Sequence, residues 1–307
     1  MTSQISFSQL SRSVRALLGD LHHLIFLKPR ARDFLKFGLA LVRLRVRPGN
    51  ARSWSGKLNE IRLGSSRLLY RCTYADVATI KEVWLDRAYA LPVGALPEHI
   101  LDLGGHIGIA AVWFHYRYPD AVIVSVEPDP ANAALASENR TRNSLRGALV
   151  VAAVGQSREP LLALQRNVPS HSIRTGHLEG LVANDVTAVA TVTLGQLVGQ
   201  FFPEGVDLLK LDVEGAEEEI ISSSREIFPA IRMVLAEFHP PAVDPIHLIA
   251  VLVSCGFLHQ IPSDTANNPL HLFTREAFAR DEEIAGEAAA SPAQKATAST
   301  TASTTVI

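Results

Sequence analysis

Four short segments of this chain carry residues whose types and spacing could do chemistry. The first is Ile100-Leu101-Asp102-Leu103-Gly104-Gly105-His106-Ile107-Gly108. It reads as a strand entering a glycine-rich turn that opens a helix. Glycines admit a ligand close to the backbone, and a helix start offers free N–H groups. In dinucleotide enzymes that turn is spaced G-x-G-x-x-G and carries a pyrophosphate. Counted from Gly104, the second and third glycine positions are here His106 and Ile109. The pattern is instead Asp102-x-Gly104-x-x-x-Gly108. A carboxylate at Asp102 repels a pyrophosphate and suits a ligand with a cationic amino group.

The second segment is Ser125-Val126-Glu127-Pro128-Asp129-Pro130, with Glu127 placed 25 positions after Asp102. An acidic residue about 20 positions beyond a glycine turn grips ribose hydroxyls, because a carboxylate accepts from both. The two segments together indicate an adenosine-containing ligand. S-adenosylmethionine has the amino group and no phosphates. The third segment runs from Asp207 to Glu217 and ends with Asp212, Glu214 and Glu217; the fourth is Ala236-Glu237-Phe238-His239-Pro240. Both close apolar runs, and ligands of open α/β sheets bind beyond the carboxyl ends of strands. Asp212 and Glu214 also read as caps for a helix starting near Ala216. Glu127 also reads as a carboxylate serving a helix start. Glu237 also reads as the partner of a buried cation, and His239 as a structural histidine.

The elements that position these segments follow from short apolar runs separated by helical patterns. Ile100–Leu103, Ala121–Val126, Ala148–Val154, Asp207–Val213 and Ile231–Phe238 read as strands, with helices near Asn132–Asn143 and Ile246–Cys255. This alternation implies a mostly parallel sheet covered on both faces. Phe257–Ile261 and Leu270–Thr274, joined by a turn-rich stretch, predict an antiparallel hairpin at the sheet edge. Upstream, Asn59–Leu63 and Leu68–Cys72 predict another hairpin, followed by a helix through Ile80–Trp84. Ser170-His171-Ser172 lies in a polar stretch that would overhang a pocket.

The set Asp-Leu-Gly-Gly-His-Ile-Gly, Val-Glu-Pro-Asp-Pro, Leu-Lys-Leu-Asp-Val-Glu-Gly-Ala-Glu and Glu-Phe-His-Pro resembles the FkbM-type methyltransferases, over about residues 75–275. The resemblance implies an α/β class I methyltransferase with a Rossmann-like, seven-stranded, mostly parallel sheet, its last strand antiparallel. It implies S-adenosylmethionine as cofactor, contacted by Asp102, Gly104, Gly108 and Glu127; Gly105, His106 and Asp212, beside them in the motifs, are further candidates for binding it. It also implies methylation of a hydroxyl on a sugar, glycan or secondary metabolite, with an acidic site around Asp212 and Glu214. His106 stands where the family usually has Asn.

Methyl transfer from a sulfonium is an in-line displacement. Alignment of donor and acceptor can supply about 7–11 kcal/mol. An alcohol must also lose its proton, and the candidate bases are Asp212, His239 and Glu214, in that order. Clustered carboxylates suit a divalent metal, but no full ligand set is legible and none is expected. A nicotinamide-dependent oxidoreductase and a catalytically inactive adenosine-ligand binder are the alternatives. Glycine spacing argues against the former.

The 307 residues carry a formal charge of −2, unevenly spread. Residues 1–52 hold ten Lys and Arg against Asp20 and Asp33, leaving −10 for the rest. That acidic balance argues against a nucleic-acid partner. Leu10, Val14, Leu17, Leu18 and Leu21 mark a helix face, interrupted at Pro29. Leu and Phe among basic residues suit a packing arm or peripheral contact with an anionic membrane surface. No run reaches the ~18 apolar residues of a span, so the expected location is the cytoplasm. Cys72 and Cys255 have no metal or redox spacing and are expected to be free thiols. The expected organisation is a basic helical extension at 1–58, a hairpin and helix at 59–98, the cofactor-binding domain at 99–280 and a disordered Ala/Ser/Thr tail at 281–307.

Overall fold

The computed structural model describes residues 7–46, 55–92, 94–156, 162–165, 173–174, 186–260 and 270–275. The loop at Ser170-His171-Ser172 and the tail from 281 lie outside them. The chain divides into two compact units, Met1–Ala90 with Leu96–Glu276, and Leu91–Ala95 with Ala277–Ile307. The described part of the second is a turn in which Ala95 N donates to Pro92 O at 3.1 Å.

The first unit opens with α1 (Phe7–Phe26) and α2 (Ala31–Val46), broken around Pro29 as the sequence predicts. The inward side of α1 differs from the predicted face: Asp20 and Leu24 are buried, while Val14 and Leu18 are exposed. The cause is electrostatic. Arg45 of α2 donates to Asp20 Oδ2 at 2.6 Å from Nη2 and 3.0 Å from Nε, which turns that side of α1 inward. On α2, Asp33, Phe37, Ala40 and Leu41 face the interior.

The strands β1 (Leu58–Leu63) and β2 (Ser66–Arg71) pair antiparallel from Leu58↔Arg71 to Leu63↔Ser66, the predicted hairpin. Next comes α3 (Tyr74–Ile80), whose start is capped by Thr73 Oγ1 accepting from Asp76 N. One π-helical stretch, Lys81–Leu85, continues it. The helix thus begins well before the predicted Ile80, because the Thr73 cap outweighs the weak apolar pattern that precedes it.

The remaining elements are β3 (His99–Leu103), α4 (Ile109–Arg117), β4 (Val122–Val126), α5 (Pro130–Arg142), β5 (Leu149–Val150), β6 (Ala153–Val154), β7 (Leu162–Gln165), β8 (Ile173–Arg174), β9 (Val186–Val189), β10 (Thr191–Val192), α6 (Leu194–Phe201), β11 (Val206–Leu211), α7 (Glu217–Ser223), β12 (Ile231–Glu237), α8 (Pro245–Ser254), β13 (Leu258–Gln260) and β14 (Leu270–Thr274).

Seven strands form one sheet in the order β13-β14-β12-β11-β3-β4-β5. Strands β12, β11, β3, β4 and β5 pair parallel, and β14 runs antiparallel to both β12 and β13. The last strand is therefore the one that runs against the others, and the β13–β14 hairpin forms the sheet edge, both as expected, with β14 inside and β13 outermost. After β14, Arg275 donates to the carbonyls of Phe228 (2.6 Å), Ile231 (2.8 Å) and Cys255 (3.2 Å). The predicted third strand, Ala148–Val154, is two strands. Its first half, β5, joins the main sheet, while β6 pairs parallel with β10. An unbroken apolar run does not mark the point where a chain changes sheets.

Alternation along the strands divides the sheet. Leu101, Leu103, Val126, Leu209, Leu211 and Val234 share a buried cluster with α6, α7 and α8. Asp102 and Lys210 lie at alternate positions, opposite each other in the β3–β11 register. The hairpin is tied to the core by Asn139 of α5. Its side chain accepts from Leu69 N (2.7 Å) and donates to Leu69 O (2.9 Å) and Ile107 O (2.8 Å). Cys72 and Cys255 are both free thiols.

Candidate active site

The loops after β3, β4, β11 and β12 emerge at one sheet edge and enclose a cavity of about 200 Å³. All four motif segments meet here because the strands they close, β3, β4, β11 and β12, run parallel and end on the same side.

The turn after β3 needs its glycines. Gly104 has φ of +80°, and a Cβ there would sit 1.7 Å from the Asp212 carbonyl oxygen. Only a residue without a side chain lets the two strand ends approach so closely. Gly108 has φ of +82° and begins α4. Gly104, Gly105 and His106 line the cavity; Asp102 and Gly108 do not. Asp102 is fully buried beneath the turn and pairs with Lys210 Nζ at 3.2 Å. Asp102, the predicted partner of a ligand amino group, here ties two neighbouring strands through Lys210.

Lys210 links the site's floor. Its Nζ also lies 3.2 Å from Asp212 Oδ2 and donates to Gly104 O at 2.8 Å. Burial opposes its charge, but Asp212 and Asp102 outweigh it and push its pKa up. Asp212 also accepts from the Tyr89 hydroxyl at 3.1 Å. Burial raises the Asp212 pKa, yet Lys210 and His239 bring it below the usual carboxylate range.

Glu127 reaches the cavity's other end. Its Oε2 accepts from His106 N at 2.8 Å and its Oε1 from Asp129 N at 2.9 Å. Oε1 also accepts from Asn132 Nδ2 at 3.3 Å, so Oε2 is the oxygen that keeps a lone pair for a ligand hydroxyl. Burial raises the Glu127 pKa against those hydrogen bonds. Asp129 serves α5 as its N-cap, accepting from Ala131 N at 2.7 Å. His106, at φ +47°, turns its ring toward Asp76, with Nε2 3.5 Å from Oδ1.

Beyond β11 and β12, His239 stands among carboxylates. Its Nδ1 lies 2.8 Å from Glu217 Oε1, and its Nε2 lies 3.7 Å from Asp212, 3.6 Å from Glu214 and 3.7 Å from Glu237. Burial disfavours the charged ring, but Glu217, Glu214 and Asp212 outweigh it and hold the pKa up to about 9. Glu237 rises to about 8 through burial and the charges of Asp212 and Glu82. Burial raises Glu214 too. Neither Asp212 nor Glu214 caps α7: Ala216 is its N-cap residue, without a side-chain bond. Fully buried Glu217 instead accepts from Gly215 N at 3.1 Å. Both acids are left for the cavity. Glu214 holds a left-handed backbone at φ +55°, unusual for a residue with a side chain and typical of functional sites.

All three predicted bases are brought together: Asp212, Glu214 and His239 each offer an atom within 4.8 Å of the others, a set that could hold a metal ion. Several lining residues had no signal in the motifs, Tyr89 and Glu82 among them. Both come from the segment before β3, and Glu82 is raised to about 7 by burial and Asp212.

A family model for the methyltransferase FkbM domain matches residues 102–258. The chain is 25% identical over 211 residues to methyltransferase sdnD of Sordaria araneosa, covering 58% of this chain and 80% of that protein. It is 24% identical over 227 residues to 31-O-demethyl-FK506 methyltransferase FkbM of Streptomyces tacrolimicus, covering 64% and 84%. Among solved structures, magnesium protoporphyrin IX methyltransferase from Synechocystis PCC 6803 with bound SAM is 12% identical with a TM-score of 0.36, covering 65% of this chain and 79% of that one.

Proposed function

This chain belongs to the FkbM-domain family of S-adenosylmethionine-dependent methyltransferases, and we infer that it methylates a hydroxyl group on an uncharged small molecule or glycan. The nicotinamide alternative falls with the family match. The observation that carries the proposal is the charge of the cavity wall. Six carboxyl groups line it (Glu82, Glu127, Asp129, Asp212, Glu214, Glu237), of which burial holds Glu237 mostly protonated and Glu82 half-titrated at neutral pH, while its one lysine, Lys210, is already held between Asp102 and Asp212. A phosphate-bearing ligand would meet repulsion there. A donor with a sulfonium and an ammonium group meets complementary charge.

The residues present fit this cofactor. Glu127 would take the ribose hydroxyls, and Val126, Pro128, Ala152 and Val154 offer apolar walls for a flat base. The Gly104–His106 turn and the carboxylates beside it would take the amino-acid end. Bound here, S-adenosylmethionine supplies an activated methyl group.

The acceptor end is the cluster around His239. Carboxylates accept hydrogen bonds from hydroxyls and so orient a neutral polyol or alcohol. His239, held as a cation by Glu217, is a poor proton acceptor at neutral pH. Asp212 is held in its ionised form by Lys210, which weakens it as a base. Glu214 has a raised pKa, and its side chain is the most exposed of the group at 39%, against 20% for Asp212. Glu214 therefore takes the hydroxyl proton, and Asp212 orients the hydroxyl. The Streptomyces relative, by its name, is a methyltransferase for 31-O-demethyl-FK506, in keeping with an oxygen acceptor.

The test is calorimetric titration of the purified chain with S-adenosylmethionine, S-adenosylhomocysteine and NADH, followed by turnover with neutral sugars and macrocyclic alcohols. The expected result is binding of the first two and methyl transfer to an alcohol. Transfer only to amines, or to phosphorylated acceptors, overturns the proposed acceptor class.

A further inference from the structure

The outer sides of α1 and α2 play no part in the site, yet their composition is one-sided. On α2, Leu35, Leu39 and Val42 are exposed, with Leu35 and Leu39 at 65% and 62%. They recur at i, i+4 and i+7, one stripe on a helix. Arg32, Lys36 and Arg43 are exposed beside them. On α1, Leu18, Ile25 and Phe26 are exposed in the same way, at 60%, 59% and 63%. Lys28 and Arg30 are exposed in the connection between the helices.

The acids of this segment are turned the other way. Asp20 and Asp33 are 5% and 6% exposed. Asp20 is held by Arg45 and Lys81, and Asp33 by Arg32. Among the described residues from 14 to 45, every exposed charge is positive. The rest of the chain is acidic by −10.

We propose that the outer face of the α1–α2 pair docks on an anionic lipid surface, with the leucines, Ile25 and Phe26 entering the interface and the flanking Lys and Arg meeting headgroup charges. Apolar side chains ringed by cations match that surface on both counts. A second copy of the chain would set this basic face against its own like charge. A nucleic acid would leave the aliphatic stripe uncovered. No helix among the described residues is long and apolar enough to cross a membrane, so the contact is peripheral.

Vesicle flotation of the full chain tests this without any reading of turnover. Phosphatidylcholine vesicles with phosphatidylserine should carry the chain to the top of the gradient, and vesicles of phosphatidylcholine alone should not. Lys36→Glu with Arg43→Glu should lower the partition at least ten-fold, since each surface cation contributes about five-fold. Leu35→Ser with Leu39→Ser should lower it comparably, and both pairs should keep the wild-type Tm because their side chains face outward. Lack of flotation with phosphatidylserine overturns the proposal. So does flotation that neither pair reduces. A dimer in solution that Leu39→Ser dissociates, without vesicle binding, assigns the stripe to self-association instead.

Discussion

At the scale of single residues, the site is a question of where protons reside. Asp212, Glu214 and His239 were legible in the sequence because each lies at or just past the end of a predicted strand, and parallel strands deliver such residues to one edge. Their division of labour was not legible. It depends on Lys210 and Glu217, one beneath Asp212 and one behind His239. Lys210 reads in the sequence as a strand residue with a buried stem; its pairing with Asp102 needs the strand order to be known. If Glu214 is the base, Glu214→Gln should lower kcat roughly a hundred-fold or more, with donor affinity unchanged. Steady-state kinetics with a saturating acceptor reads this directly. Full turnover in that variant would pass the role to Asp212, whose Asn variant would then show the loss.

Among the elements, the hairpin β1–β2 and the helix after it determine whether the cavity has its second wall. Glu82 and Tyr89 lie there, with no motif around them, so spacing could not reveal them. Asn139 links this wall to the core, copying a strand's hydrogen-bond pattern against β2 with one side chain. Asn139→Ala leaves Leu69 N and O and Ile107 O buried without that partner. The expected cost is about 1–3 kcal/mol, read as a lower urea midpoint. Donor affinity should weaken as well, because the Ile107 carbonyl belongs to the glycine turn. An unchanged midpoint would show that the hairpin is held by packing alone. The limits of pattern reading are plainest at Ala148–Val154, where seven apolar-rich residues serve two sheets. Hydrophobicity does not mark the break there, since Val151, between the two strands, is exposed, and it is silent about which sheet each half joins.

For the whole molecule, the crowded cavity gives folding stability a definite pH slope. Glu82 and Glu237 rise from 4.5 to about 7 and about 8, and His239 from 6.5 to about 9. All three bind protons more tightly folded than unfolded. Their stabilising contribution is complete below the unfolded values and is lost as pH rises through the folded ones. The depressed Asp212 acts with opposite sign, but around its unfolded value of 3.8, outside this range. His115, His259 and His271, lowered from 6.5 by burial, also act with opposite sign, below pH 6.5, so Tm should fall between about pH 7 and pH 9, and Glu237→Gln should flatten part of that slope. A Tm that rises across the range would mean the carboxylates stay ionised at neutral pH. The mostly parallel sheet was the most legible feature at this scale, because apolar runs alternating with helices imply parallel strands covered on both faces.

The position of β14 also governs how the chain can be built. Synthesis delivers β13 before the strand that will join it to the sheet, so β13 has no seat when it appears. Until residues 270–274 arrive, β12 presents a bare edge of apolar backbone, an invitation to pair with another chain. Arg275 then reaches back to three carbonyls and seals the seam. A chain cut short just before Leu270 would keep every residue assigned to the cavity, yet it should be one that cells find in aggregates.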